Sequence, residues 1–82
     1  MYILRYTDLP VSEAKYLAAK ARLTSYAYGE LDDALGRARQ IRERGGVPWE
    51  IEVDGRILLG RAGIERVLRE RAKELAGRPK VY

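Results

Sequence analysis

The sequence predicts an α+β fold, a small antiparallel sheet packed against three amphipathic helices in the order β-α-α-β-β-α. Three observations predict it. The opening YILRYT is dense in aromatic and branched residues, as strands are. The stretch VPWEIEVDGRILLG alternates Trp49, Ile51 and Val53 with Glu50 and Glu52, turns at Asp54-Gly55, and resumes with Ile57, Leu58 and Leu59. That is a hairpin by pattern and turn chemistry. Elsewhere apolar residues recur at helical spacing over about 12–22, 30–44 and 62–76.

The first strand, 2–7, places Tyr2, Leu4 and Tyr6 on one face and Ile3, Arg5 and Thr7 on the other. Pro10 pushes Leu9 out of the helical region, so 8–10 turns the chain. Ser12 caps the first helix, Val11 and Tyr16 form a hydrophobic staple, and Ala14, Leu17, Ala18 and Ala21 make a small-residue stripe. The stretch 23–29 reads either as a short strand carrying Tyr26 and Tyr28 or as a connector ending at Gly29.

The second helix has Glu30, Asp32 and Asp33 in its first turn and Arg42 and Arg44 in its last, as the helix dipole favours. Leu31, Ala34, Leu35, Ala38 and Ile41 form its stripe, and Gly45-Gly46 stops it. The third helix has Ile64, Val67, Leu68, Ala72 and Leu75, with Gly77 as its stop. The segment 77–82 reads as a tail, either frayed or docked by Tyr82, of a single domain spanning 1–82.

Face counting suggests a three-residue hairpin loop of Val53, Asp54 and Gly55. Glu52 then faces Arg56, and Trp49, Ile51, Ile57 and Leu59 all point inward. Glu50, Glu52, Arg56 and Leu58 are left outside, an acidic face offering a complementary surface to the helices or to another subunit.

Composition narrows the functional classes. With 82 residues there is room for one core, and a chain of this size buries roughly 60% of its unfolded surface. The absence of cysteine and histidine removes thiolate sites and the usual general base, so no enzyme, cofactor or metal is expected. No stretch is long and apolar enough to span a membrane and no signal peptide is evident, so a cytoplasmic location is expected. The net charge is +4, with twelve arginines among sixteen cations against twelve acids.

That charge raises a nucleic-acid interface. Candidate contacts are Arg37, Arg44, Arg61, Arg66, Arg69, Arg71 and Lys73, with Tyr26 and Tyr28 as stacking platforms. Most of the helix cations have an acid three or four residues away, such as Asp33–Arg37, Glu65–Arg69 and Arg66–Glu70, the pattern of a solvated helix face. Arg42 and Arg71 sit within apolar stripes, and Arg71 is expected to meet a carboxylate, from Glu50, Glu52 or a second subunit. Gly60-Arg61-Ala62-Gly63, at a strand-to-helix junction, reads as a flexible loop in preference to a phosphate nest.

The element order is similar to that of type I KH domains, a family of single-stranded RNA binders. Their GxxG loop joins the first two helices, whereas here that position holds LTSYAYG and the GxxG follows a strand. The resemblance therefore carries over no site residue. The leading expectation is a small protein-interaction module that forms a homodimer. A three-stranded sheet has two open edges, and Tyr2, Tyr6 and Leu58, with Tyr26 and Tyr28, exceed what one small core buries. The alternative is a sequence-tolerant RNA or single-stranded DNA binder.

Overall fold

The sheet is built on β1 (Tyr2–Thr7), flanked by β2 (Ser25–Tyr28) on one side and β3 (Val47–Val53) on the other, with β4 (Arg56–Gly60) outermost. All neighbours are antiparallel. The helices are α1 (Glu13–Ala19), extended by a 3₁₀ turn at Lys20–Arg22, then α2 (Leu31–Glu43) and α3 (Arg61–Gly77). This computed structural model describes residues 1–77, with side chains through 73, so Leu75 and the expected tail lie outside the described side chains or residues. The fold class and element order are as the sequence predicts, and the ambiguous stretch 23–29 contains a strand.

Ser12 caps α1 as expected, its Oγ accepting from the backbone N–H of Lys15 at 3.2 Å. α2 ends on Gly45, whose φ is +88°, and on Gly46, whose N–H bonds the carbonyl of Ile41 at 2.9 Å. A Cβ on Gly46 would lie 2.7 Å from Ile41 Cγ2 and 2.8 Å from the Thr7 carbonyl oxygen, so only glycine fits this close approach.

The expected hairpin loop is overturned. Val53 stands opposite Arg56, and the loop has two residues, Asp54 at φ 51° and Gly55 at φ 75°. Two positive φ values make it a type I′ turn, whose twist matches that of the strands. Face counting assumed unbroken alternation, but both ladders around β3 carry a bulge. Ile51 pairs with Leu59 while Glu52 pairs with Ile57, leaving Leu58 extra. Arg5 pairs with Glu50 while Tyr6 pairs with Pro48, leaving Trp49 extra. Pro48 has no N–H to give the ladder, and the register slips beside it.

The bulges divide the apolar residues between two faces. On one face, Leu4, Ile51 and Leu59 meet Ala34, Leu35, Ala38 and Ile41 of α2 and Ile64, Val67 and Leu68 of α3. Tyr2, Tyr6 and Tyr28 pack, half-buried, against this same core. Trp49, expected inward beside Ile51, is instead buried on the opposite face with Tyr16 and Val47. Ile57, also expected inward, is exposed.

α2 and α3 are locked at both ends by ion pairs, Arg42 Nε to Glu65 at 3.2 Å and Arg71 Nη2 to Asp32 at 2.6 Å. The carboxylate that meets Arg71 is therefore Asp32 of the neighbouring helix, not Glu50 or Glu52. The predicted Glu65–Arg69 and Asp33–Arg37 pairs give way to tertiary partners, Arg42 for Glu65 and Tyr26 for Arg37.

Candidate functional site

α1 lies on the face opposite α2 and α3, and it meets the sheet through polar and aromatic side chains. The Tyr16 ring stacks on Trp49 with centroids 4.5 Å apart and planes 6° from parallel. Trp49 Nε1 donates to Thr7 Oγ1 at 2.9 Å, which fixes the indole. The Tyr16 hydroxyl donates to the buried Glu50 carboxylate. Lys20 Nζ lies 2.9 Å from Glu50 and 3.3 Å from Glu52, and Arg5 Nε lies 3.2 Å from Glu52. Of the two complements left open for the acidic outer face of the hairpin, the helices and another subunit, the turn extending the first helix supplies one cation, and β1 adds a second that the sequence did not suggest.

Two carboxylates and two cations leave this cluster near neutral. Burial, then the bond to Glu50, pushes the Tyr16 hydroxyl well above its ordinary range. Lys20 is raised chiefly by its bond to Glu50. Burial pulls Glu52 upward, but Arg5 and Lys20 outweigh it and hold the carboxyl below its ordinary value. The matched charges, each bonded, fit a role in positioning and not in proton transfer.

The apolar stripe read for α1 points away from the sheet. Ala14, Leu17, Ala18 and Ala21 are all exposed, and only Tyr16 of the helix is buried. A stripe of alanines offers little area to the sheet, and the stacked ring and the ion pairs set the rotation of the helix instead. Leu17 is left 58% exposed, Ile57 60% and Leu58 46%.

Beside α1, between its outer side and β4, lies an open groove of about 630 Å³. Tyr16, Trp49, Leu17, Ile57 and Arg61 contribute to its lining, with Glu13 on the α1 wall. The Arg61 guanidinium lies over the Trp49 ring, 4.8 Å from its centroid. Gly60 and Gly63 bring the start of α3 against the groove, so the GxxG stretch is part of its wall.

The predicted basic interface assembles only in part. Tyr26 stacks on Tyr6 at 5.4 Å, and Tyr28 is tilted 6.3 Å away. Arg37 lies over the Tyr26 ring at 4.6 Å and donates to its hydroxyl at 3.0 Å. Arg37 and Arg44 share the lining of a cavity of about 140 Å³ with Tyr6, Tyr26 and Asp8. Arg61 is on the other face of the sheet. Arg66, Arg69, Arg71 and Lys73 are exposed along α3, where Arg66 pairs with Glu70 at 3.7 Å and Arg71 with Asp32.

Sequence reasoning missed the Tyr16–Glu50–Lys20 cluster, because plain alternation puts Glu50 in solvent. The available signal was Glu50-Ile51-Glu52 in a chain with Arg5 on the matching face of β1 and Lys20 one turn beyond Tyr16. Among the described residues no group of acids, histidines or cysteines could hold a metal, and no helix is long and apolar enough to cross a membrane.

Fold and site together define a small α+β domain with an aromatic-floored groove beside an edge strand. Compared with protein-family models, curated proteins and solved structures, the chain has no significant match.

Proposed function

We propose that the chain is a small cytoplasmic protein-interaction module whose docking surface is this groove and the adjoining strand β4. The observation that carries the reading is the meeting of Leu17 and Ile57, both substantially exposed, in a groove floored by Trp49 and Tyr16. An apolar patch rimmed by polar residues is a common mark of an interaction site. Homodimerisation, expected from the sequence, is one of the outcomes that a test of this surface distinguishes.

A photoreactive side chain placed at Ile57 tests the reading in cells, with Arg39 on the exposed side of α2 as the control position. The expected result is one discrete adduct from position 57, lost when Leu17→Asp is added. An adduct at twice the chain mass identifies a second copy. The same diffuse adducts from both positions would remove the docking surface. The nucleic-acid alternative has one specific observation behind it, the shared cavity of Arg37, Arg44 and Tyr26. Oligonucleotide binding that weakens steeply with salt and is lost on Arg37→Ala would favour it.

A further inference from the structure

We infer that the partner docks as an extended segment in which apolar residues are flanked on both sides by acidic ones, added to the sheet as a strand along β4. The inference rests on the docking reading above and specifies its partner.

The backbone supplies the first argument. β4 is the outermost strand, and among the described residues none pairs with its outer edge. An open edge presents unpaired N–H and C=O groups, the template used when an extended peptide joins a sheet. The side chains supply the second. Ile57 rises from that strand into solvent in the groove, where an apolar residue of an added strand would pack against it and Leu17, and Leu58 beside it in the strand is also exposed.

Charge selects the occupant. Arg56 opens β4 and Arg61 follows its last residue, and neither forms an ion pair among the described residues. Arg5, Lys20, Arg39, Arg42, Arg66 and Arg71 each have an acid within reach, whereas Lys15, Arg22, Arg37 and Arg44, like Arg56 and Arg61, form no ion pair among the described residues. What sets the last two apart is their place at the two ends of the open strand, Arg61 lying over the Trp49 ring. The strand therefore reads basic, apolar, basic. Two acids border the groove but change this little: Glu50 is already held by Tyr16 and Lys20, and Glu13 stands on the opposite, α1 wall.

The same charges disfavour two of the pairings open to a second copy at this edge. Antiparallel pairing of two β4 strands centred between Leu58 and Leu59 would set Arg56 against Arg61 of the second copy at both ends, although pairing centred on Leu58 sets Arg56 against Gly60 and avoids the clash. Parallel pairing would bring like residues side by side. Like charges directly opposite are destabilising in a sheet. Pairing β4 with β2 of another copy leaves the remaining edges open, which builds a filament instead of a closed dimer.

The test uses the full chain, isotopically labelled, titrated with three synthetic peptides and followed by the backbone amides of 56–60 and the Trp49 indole. The first is Asp-Glu-Val-Ile-Val-Glu-Asp, whose symmetric charge pattern serves either strand direction. The second replaces every acid by lysine, and the third keeps the acids but replaces Val-Ile-Val by Ser-Gly-Ser. The acidic apolar peptide is expected to shift the β4 amides and bind roughly tenfold tighter than either control. In the double variant Arg56→Glu, Arg61→Glu, the lysine peptide should become the tighter ligand.

Equal binding of the acidic and lysine peptides at β4 would overturn the inference and leave the docking surface standing. So would β4 shifts that depend on protein concentration alone and accompany a dimer mass, which would name a second copy. Silence at β4 toward every peptide and at every protein concentration would overturn both the inference and the docking reading.

Discussion

Glu50 is an acid in the middle of a strand, on the face opposite Ile51, and it is buried because Tyr16, Lys20 and the bulged Trp49 cover that face. A carboxylate in that position requires bonded partners, since an unsatisfied buried charge costs several kcal/mol. Tyr16 and Lys20 supply them. Tyr16→Phe keeps the ring on Trp49 and removes only the hydroxyl. It should lower the unfolding free energy by about 1–3 kcal/mol, read as a shift in urea midpoint without a change in slope. Alkali probes the same bond. Burial and then the Glu50 bond raise Tyr16 from an ordinary 10.0, while the Glu50 bond raises Lys20 from 10.5 against the opposing pull of burial. The folded chain therefore keeps both protons after the unfolded chain has lost them. Stability from these groups is intact below about pH 10 and declines as pH rises further. The Phe variant loses the tyrosine share of that decline, so its curve should be flatter above pH 10. A variant as alkali-sensitive as the parent would show that the buried hydroxyl does not contribute.

At the scale of elements, what could be read from the sequence follows from which signals are local. The stripes of α2, Ser12 as a cap and Gly45-Gly46 as a stop are written in neighbouring residues, and they are found where expected. The hairpin loop was misread because a bulge at Leu58, within the hairpin itself, breaks the alternation that face counting assumed, while the bulge at Trp49 is set by pairing with the distant β1. The α1 stripe was misread for a related reason. Alanine spacing marks a helix face, but the partner of that face was decided by Trp49 and Glu50, which plain alternation did not place beneath it. The same distinction separates two glycines. Gly36 lies within α2 with nothing within 4 Å of a built Cβ. Gly36→Ala should stabilise the chain by roughly 0.5–1 kcal/mol through helix propensity. Gly46→Ala forces a methyl against the Thr7 carbonyl at the join of α2 and β3 and should destabilise by about 1–3 kcal/mol. Thermal unfolding of both variants checks the pair, and equal effects would mean the close approach at Gly46 relaxes freely.

The whole molecule has two cores of unequal weight, one on each face of the sheet. α2 buries Ala34, Leu35, Ala38 and Ile41 in the larger, whereas α1 buries only Tyr16 in the smaller. A helix of seven residues is far shorter than one that holds itself in water, so its stability comes from the Trp49 stack and the Glu50 bonds. Opening α1 uncovers Tyr16, Trp49 and Val47 but leaves the larger core intact, which makes it a local event below the cost of global unfolding. Because α1 forms one wall of the groove, that event also widens the proposed docking surface. Amide exchange should therefore be roughly hundredfold faster along 13–19 than along the middle of α2. Tyr16→Phe should accelerate the first set more than the second. If both sets instead exchange at one rate and slow or quicken together, α1 belongs to a single cooperative unit with the sheet. The groove would then have a fixed wall, and any partner would have to fit it as it stands.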